Sequence, residues 1–265
     1  MAISLQKASM FKRISAWLFD AVMCVVLATG LLAVMSAILH YDEQANKLNE
    51  CYEQIYDQYE FDQNVKLDLT EEAYNALDEE AKKAYDAHLN AVNELIVGDE
   101  EIQRLHTVIV SYTFLMVTVS LLIANLVWNF LLPLILHDGR SLGKKIFGLA
   151  VMRTNGLKIS NPVLFVRSIL GLYTMETMVP VLFALMIYFG MLGSVGIIAA
   201  VLMLVLEIAV MATTKTHSSI HCLLSDTVVV DYASQRIFAT QADLDAYLEK
   251  QRIEEEQKKN SDFNQ

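Results

Sequence analysis

Five oxygen-bearing side chains lie inside long apolar stretches of the sequence, where a polar or charged group is costly. They are Asp20, Asn125, Asn129, Glu176 and Glu207. A carboxylate near the centre of a bilayer costs ~2.5–3.5 kcal/mol on insertion scales, so it normally faces protein or water. At ~1.5 Å of rise per helical residue, all except Asn125 would lie ~9–13 Å from the more basic end of their stretch. Oxygen groups at a common depth predict a pathway for cations or protons.

Two prolines point to the same region. A proline inside a helix removes the hydrogen bond to the carbonyl four residues earlier, so Pro133 frees the carbonyl of Asn129 and Pro180 frees that of Glu176. Free backbone oxygens are tolerated at membrane depth only where they are buried in protein or line a cavity. Structural interpretations stay open beside the pathway: the asparagines join helices, the glutamates are protonated packing groups, and Asp20 belongs to an ion pair.

Arg13 is the nearest counter-charge to these acids. It lies seven residues before Asp20 and therefore on the same helical face, ~10 Å away along the axis. An ion pair within the helix would be stretched. We therefore expect Arg13 to reach the membrane interface and to meet an acid from another segment.

The apolar stretches are long enough to cross a bilayer, which needs ~20 residues. Of the 265 residues, 54% are apolar and only 19% are charged. The sequence predicts an all-α integral membrane protein with four transmembrane helices. We divide it into an N-terminus at 1–13, spans at 14–39, 107–136, 163–189 and 195–213, an acidic insertion at 40–106, a basic loop at 137–162 and a tail at 214–265.

The distribution of charge predicts the orientation. Segments 1–13, 137–167 and 213–265 hold 15 of the 20 Lys and Arg, whereas 40–106 holds five of them against 18 Asp and Glu. The positive-inside rule then places both termini and the basic loop in the cytoplasm and the insertion outside, in the cell membrane. A net charge of −11 argues against nucleic acid as a partner.

Both connecting segments carry patterns of local structure. In the insertion, the apolar residues of 48–59 share one helical face, and Thr70 begins a second helix that ends near Gly98, which together predict an extracellular helical hairpin. In the basic loop, Asn155 and Gly156 stand between two short strand-like runs. Asn-Gly in such a place predicts a short cytoplasmic β-hairpin.

Three separated blocks of sequence carry recognisable motifs. Residues 11–20 (FKRISAWLFD) include Arg13 and Asp20, residues 139–151 (GRSLGKKIFGLAV) include Gly143 and Lys144, and residues 220–230 (IHCLLSDTVVV) include His221, Cys222 and Thr227. In this order they resemble the RDD family of membrane proteins. The resemblance covers the chain except the insertion and the tail. It implies a multi-pass membrane fold and transport of ligands, with sodium/proton antiport claimed for some members.

One position departs from the family pattern. Aligning His221 and Thr227 with the closing motif places Cys222 where the family has its second aspartate. Asp226 lies one helical turn later and could replace that aspartate in space. Arg167 follows the middle block as the family pattern implies. Arg13, Arg167 and Asp226 are therefore expected as structural or counter-charge residues.

Other kinds of site find little support. His217, His221 and Cys222 could bind a metal on a helix, but no fourth ligand is near, so we expect no metal site. Neither a phosphate-binding loop nor a catalytic triad motif occurs, so we expect no cofactor and no enzymatic activity.

The sequence favours transport of a cation or proton, or of a small solute coupled to one. The alternative is a non-transporting scaffold or assembly factor that binds a protein partner through the insertion at 40–106 or through the basic loop. Four spans make a thin bundle within the lipid bilayer, so a homo-oligomer is expected.

Overall fold

The computed structural model describes residues 8–214 and 219–263, and the chain divides into two compact units. We call Met1–Leu31 with Thr118–Gln265 the membrane–sheet unit and Leu32–Val117 the insertion unit. In chain order the elements are α1 (Met10–Leu39), α2 (Tyr41–Gln63), α3 (Glu71–Asn75), α4 (Glu79–Gly98), α5 (Glu100–Asn125), α6 (Leu132–Ile135), α7 (Leu142–Ile146), β1 (Leu149–Arg153), α8 (Asn161–Phe165), α9 (Val179–Tyr188), α10 (Gly193–Thr213), α11 (Ile220–Leu224), β2 (Thr227–Asp231) and α12 (Gln241–Phe263).

Four helices are long and apolar enough to cross a membrane. They are Met10–Leu39, Glu100–Ile135, Asn161–Tyr188 and Gly193–Val210, and we call them spans 1 to 4. Each lacks charges over most of its length, so that its exposed face suits lipid. The predicted all-α membrane architecture with four spanning helices is confirmed.

Spans 2 and 3 are not uniform α-helices. π-helical segments at Leu126–Leu131 and Val166–Met178 interrupt them, and each ends shortly before a proline, Pro133 or Pro180. A proline has no N–H and its ring clashes with the carbonyl four residues earlier, and a wider turn relieves both constraints. Asn129 and Glu176 therefore lie on widened turns.

A small sheet joins two distant parts of the chain. β1 pairs antiparallel with β2, in a register that runs from Leu149 opposite Asp231 to Arg153 opposite Thr227. Both faces of the sheet are buried, which explains why the two strands are continuous apolar runs. We call residues 137–160 and 219–240, which surround this sheet, the sheet subdomain.

The turn predicted at Asn155 and Gly156 is present. The amide of Gly156 donates to the carbonyl of Arg153 at 2.9 Å, and Met152 forms a single bridge with Lys158. The main partner of β1 is nevertheless β2, because its continuous apolar run buries more side chains than Leu157 and Lys158 could. The hairpin motif thus identified the turn but not the principal strand pairing.

The insertion unit contains α2, α3, α4 and the first part of α5. Thr70 caps α3, as predicted, by accepting from the amide of Ala73 at 3.3 Å. That helix ends after five residues, and the Asp78 carboxylate caps α4 by accepting from the amide of Ala81 at 2.8 Å. The second helix of the predicted hairpin is therefore two helices, because a second capping residue lies within it.

The core of the insertion unit lies on the predicted apolar face of α2. Leu48 packs there with Ile102 and Leu105 of α5, and both of those side chains are 1% exposed. Tyr59 of α2 also contacts α4, with its hydroxyl 2.9 Å from Nδ1 of His88. The insertion unit is thus held by apolar burial on α2, with polar contacts at its margin.

Candidate functional site

Arg167 is a buried cation on the π-helical segment of span 3, with 5% of its surface exposed. Its Nη1 donates to Thr227 Oγ1 at 2.5 Å and to Cys222 Sγ at 3.2 Å, and its Nη2 lies 2.9 Å from Nε2 of His221. These acceptors belong to β2 and α11. A buried guanidinium is costly unless acceptors satisfy its donors, so Arg167 holds the sheet subdomain against span 3.

Glu176 accepts two hydrogen bonds from one residue of α11. The backbone amide of His221 donates to Oε1 at 2.7 Å, and Nδ1 of the same residue lies 2.7 Å from Oε2. A guanidinium can only donate, so the Nε2 beside Arg167 must accept, which assigns the imidazole proton to Nδ1. Arg167, His221 and Glu176 therefore form one directional hydrogen-bonded chain.

A glycine permits this close approach of α11 to span 3. A Cβ at Gly171 would lie 2.5 Å from the Cβ of His221 and 2.7 Å from its Cα, much closer than carbon atoms can approach. Since Gly171 stands between Arg167 and Glu176 on the same segment, any larger residue would separate both of them from His221.

Cys222 occupies a charged environment although its side chain is buried. Burial raises the pKa of the Cys222 thiol, but the guanidinium of Arg167 and the hydrogen bonds around the sulfur together lower it by more. The pKa of Cys222 therefore lies well below its ordinary value. The guanidinium of Arg167 therefore favours the thiolate form of the sulfur that stands where the family motif has an aspartate.

Asp20 of span 1 anchors the other edge of the sheet subdomain. Its Oδ1 accepts from Nε1 of Trp128 at 3.0 Å and from the amide of Gly143 at 2.9 Å, and its Oδ2 accepts from the hydroxyl of Ser141. Nζ of Lys144 lies 3.6 Å from the same Oδ2. Asp20 thus caps the first turn of α7, and the geometry matches the structural interpretation of this residue.

Two features of α7 depend on that carboxylate. A Cβ at Gly143 would overlap the carbonyl oxygen of Ala16 and would lie 2.8 Å from the carboxylate carbon of Asp20, so no larger residue fits there without moving span 1 or displacing that carboxylate. Burial lowers the pKa of Lys144, and the negative charge of Asp20 opposes that shift. Removing Asp20 would therefore leave a buried amine without its counter-charge.

The two asparagines join spans 2 and 3. Nδ2 of Asn129 donates to Oδ1 of Asn125 at 2.6 Å, and Nδ2 of Asn125 donates to the carbonyl of Ser168 at 3.0 Å. The hydroxyl of Ser168 donates in return to the carbonyl of Asn129 at 2.6 Å. That is the carbonyl which Pro133 deprives of its helical partner, so Ser168 satisfies it from the neighbouring span.

A cavity of about 630 Å³ lies within the membrane–sheet unit, and all the predicted pathway residues line it: Asp20, Asn125, Asn129, Glu176 and Glu207. The three carboxylates among them differ in their hydrogen-bond partners. Asp20 and Glu176 accept hydrogen bonds from protein donors on both oxygens. Glu207 of span 4 makes no hydrogen bond or ion pair with any residue that the structure describes, while Glu176 and His221 lie close enough to influence its charge.

The remaining predicted residues lie in different places. Arg13 lines the same cavity. Asp226 lies at the turn before β2, where its carboxylate accepts from the hydroxyl of Thr154 at 2.5 Å and approaches Arg153 at 3.6 Å. It is therefore engaged away from Arg167, and Cys222 keeps the position beside the guanidinium.

A metal centre has no structural support in the described part of the chain. His217 lies outside the described residues. Within 8–214 and 219–263, no group of three His, Cys, Asp or Glu side chains is placed to hold an ion.

Four spanning helices, a small sheet subdomain and a buried Arg–His–Glu chain define a class of small multi-pass membrane protein. The model of the RDD family matches residues 7–226, which is most of the sequence, and the chain belongs to that family. No curated protein and no solved structure matches the chain. The first and second motif blocks meet where Asp20 contacts Gly143 and Lys144. The third block contacts Arg167, which follows the middle block, through His221, Cys222 and Thr227.

Sequence reasoning missed several residues of this site. Trp128 and Ser141 contact Asp20, Ser168 contacts the two asparagines, and Gly171 lies against His221. All four are ordinary members of apolar or basic segments in the sequence. Gly171 is the one that could have been noticed, because a glycine in the middle of a predicted span lowers helix stability and often permits a close helix contact. The contacts of the others depend on which segments pack together.

Gly143→Ala should destabilise the protein by about 1–3 kcal/mol, because the added methyl group overlaps the backbone oxygen of Ala16 and the carboxylate of Asp20. Gly30→Ala is the matched control, since no atom lies within 4 Å of a Cβ at that position in α1. The measurement is thermal unfolding of the purified protein in detergent, followed by circular dichroism. Equal unfolding temperatures for the two variants would contradict the close contact.

Cys222→Ala and Cys222→Asp should have opposite effects. Alanine removes an acceptor from buried Arg167 and should cost about 1–3 kcal/mol, whereas aspartate supplies a carboxylate to the same guanidinium and should keep or raise stability. The same thermal unfolding assay compares both variants with the wild type. Equal destabilisation by alanine and aspartate would show that Arg167 does not need an anionic partner there.

Proposed function

We propose that this protein is a secondary transporter that moves protons across the membrane, coupled to a cation or to a small solute. The observation that carries the proposal is the carboxylate of Glu207, which lines a cavity among the spans and has no partner among the described residues. A carboxylate held at membrane depth without a permanent counter-charge can exchange a proton as its surroundings change.

Asp20 and Glu176, which the sequence predicts as pathway residues, lie at the wall of the cavity but are engaged by protein donors. The oxygens of Asp20 and Glu176 accept protein hydrogen bonds, so neither is available to a passing cation without breaking an anchor of the sheet subdomain. We assign the change of charge to Glu207. Glu176 and His221 are the neighbouring titratable groups whose charges act on Glu207.

The cavity is large enough for a substrate. Its volume of about 630 Å³ falls within the ~300–1,000 Å³ that is typical of small-molecule sites. Residues from all four spans and from the sheet subdomain line it, so a change in the packing of α11 against span 3 would alter access to it. Alternating access in small transporters needs such a movable boundary.

We place the chain in the cell membrane with both termini and the sheet subdomain in the cytoplasm. The support is the concentration of Lys and Arg in segments 1–13, 137–167 and 213–265. A homo-oligomer is part of the proposal, because spans 1 and 4 bury little of their apolar surface within one chain.

The scaffold interpretation has its own observation. Asp20 and Glu176 both hold the sheet subdomain in place, which is what a membrane-anchored docking platform would require. Glu207 distinguishes the two, since a scaffold has no use for a carboxylate within a span that has no partner in the described part of the chain. A protein partner at the insertion would be compatible with either function.

Glu207→Gln should reduce proton-coupled flux to background while leaving the fold intact, because an amide keeps the size but cannot exchange a proton at neutral pH. The measurement is pH-dye fluorescence in vesicles containing only this protein, with gradients of Na⁺, K⁺ and tetramethylammonium imposed in turn. Glu94→Gln, which changes an exposed carboxylate of the insertion unit, should behave as the wild type.

Two results would remove the transport proposal. One is a wild type that moves no protons above empty vesicles with any of the three gradients. The other is equal flux for the wild type and Glu207→Gln. The scaffold interpretation would then lead, and capture of partners with residues 40–106 deleted would be the next measurement.

The orientation can be tested with single introduced cysteines at two exposed positions, Glu80 and Ser234. A membrane-impermeant maleimide should label Glu80→Cys in intact cells and should label Ser234→Cys only after the cells are opened, because the positive-inside rule places the basic segments inside. Wild type measures the background from the native cysteines. The reverse labelling pattern would contradict the proposed orientation.

A further inference from the structure

We propose, as a refinement that rests on the transport function above, that the cavity binds amphipathic organic cations in competition with a proton on Glu207. The cavity, its apolar wall and the one carboxylate without a described partner carry this inference. It names a class of substrate, namely a bulky apolar body with a single positive charge.

The wall of the cavity suits an apolar body rather than a small inorganic ion. Most of its exposed surface is apolar, with Trp17 from span 1, Leu121 from span 2 and Val181 from span 3 among the lining side chains. A bare Na⁺ or K⁺ needs a shell of about six oxygen ligands. Protein donors already use most of the acceptor sites of Asp20 and half of those of Glu176, which leaves too few oxygens on the wall for that shell.

The balance of charge on the wall favours a cation over an anion. Arg13, Lys144 and Arg167 line the cavity together with Asp20, Glu176, Glu207 and Cys222, so the wall carries no excess of positive charge when Glu207 is ionised. Lys144 lies beside Asp20, and Arg167 donates to three protein acceptors, which leaves neither of them poised for an anionic ligand. The carboxylate without a described partner is the complementary group for an incoming charge.

A proton and an organic cation are interchangeable on that carboxylate. Either one adds a single positive charge to the same wall, so binding of one disfavours binding of the other. The titratable groups that act on Glu207 are Glu176 on span 3 and His221 on α11, whereas α9, which packs against α10, carries no acidic or basic side chain. An aromatic side chain such as Trp17 adds a favourable surface for a cation.

Tetraphenylphosphonium and tetraphenylborate are matched probes, because they have the same shape and opposite charge. The purified full-length protein in detergent should bind tetraphenylphosphonium saturably in equilibrium dialysis. Binding should be tighter at about pH 8 than at about pH 6, since protons compete for Glu207. Tetraphenylborate should bind no better than it binds to detergent alone.

Substitutions of Glu207 test whether its carboxylate binds the cation. Glu207→Gln should weaken tetraphenylphosphonium binding by about 10-fold to 100-fold, the loss expected for one charge-assisted contact. Glu207→Asp keeps the charge and should keep most of the affinity and its pH dependence, which also separates loss of charge from a failure to fold. Glu94→Gln is the control and should bind as the wild type does.

Several results would overturn the inference. They are equal tetraphenylphosphonium affinity for the wild type and Glu207→Gln, tighter binding of tetraphenylborate than of its cationic counterpart, and no pH dependence. A protein that exchanges protons for Na⁺ or K⁺ in vesicles but does not bind tetraphenylphosphonium would also overturn it, while leaving the transport proposal in place. Binding that depends on Glu207 without any proton flux would instead support the cation site and remove the transport proposal.

Discussion

The charge of Arg167 imposes a constraint on much of the membrane–sheet unit. A guanidinium that is 5% exposed must give its hydrogen bonds to protein acceptors, and those acceptors come from β2 and α11 rather than from its own span. His221, which accepts one of these bonds at Nε2, donates from Nδ1 to Glu176. A single buried cation therefore fixes the tautomer of an imidazole, the position of a short helix and the start of a strand.

Asp20 is a buried charge of the opposite sign, and it is likewise satisfied by donors from other segments. Its carboxylate is satisfied by Trp128, Ser141 and the amide of Gly143, so span 1 is joined to α7 as span 3 is joined to α11. Both contacts are close because one partner is a glycine, at Gly143 or at Gly171. The prolines of spans 2 and 3 complete the arrangement, since widened turns accommodate them and Ser168 satisfies the carbonyl that one of them frees.

Structural anchoring and the proposed proton exchange thereby fall to different carboxylates. Asp20 and Glu176 accept hydrogen bonds that hold the sheet subdomain in place. Glu207 lines the same cavity without a described partner. A titratable group that anchors none of the described elements can change its charge without disrupting the structure around it. This division is the physical reason for assigning proton exchange, and the binding of a bulky cation, to Glu207 rather than to the more deeply engaged acids.

The sequence by itself determined the class of the protein, the four spans and the residues of the three family motifs, because apolar length, charge distribution and local motifs are properties of contiguous segments. It also identified the five pathway candidates that line the cavity, from the cost of polar groups in apolar stretches. Only the tertiary structure decided the pairing of β1 with β2, the break between α3 and α4, and which carboxylates are engaged. Those outcomes depend on side chains far apart in the chain: nothing near Cys222 in the sequence reveals that Arg167 lies 3.2 Å from its sulfur, or that Asp226 is held elsewhere by Thr154.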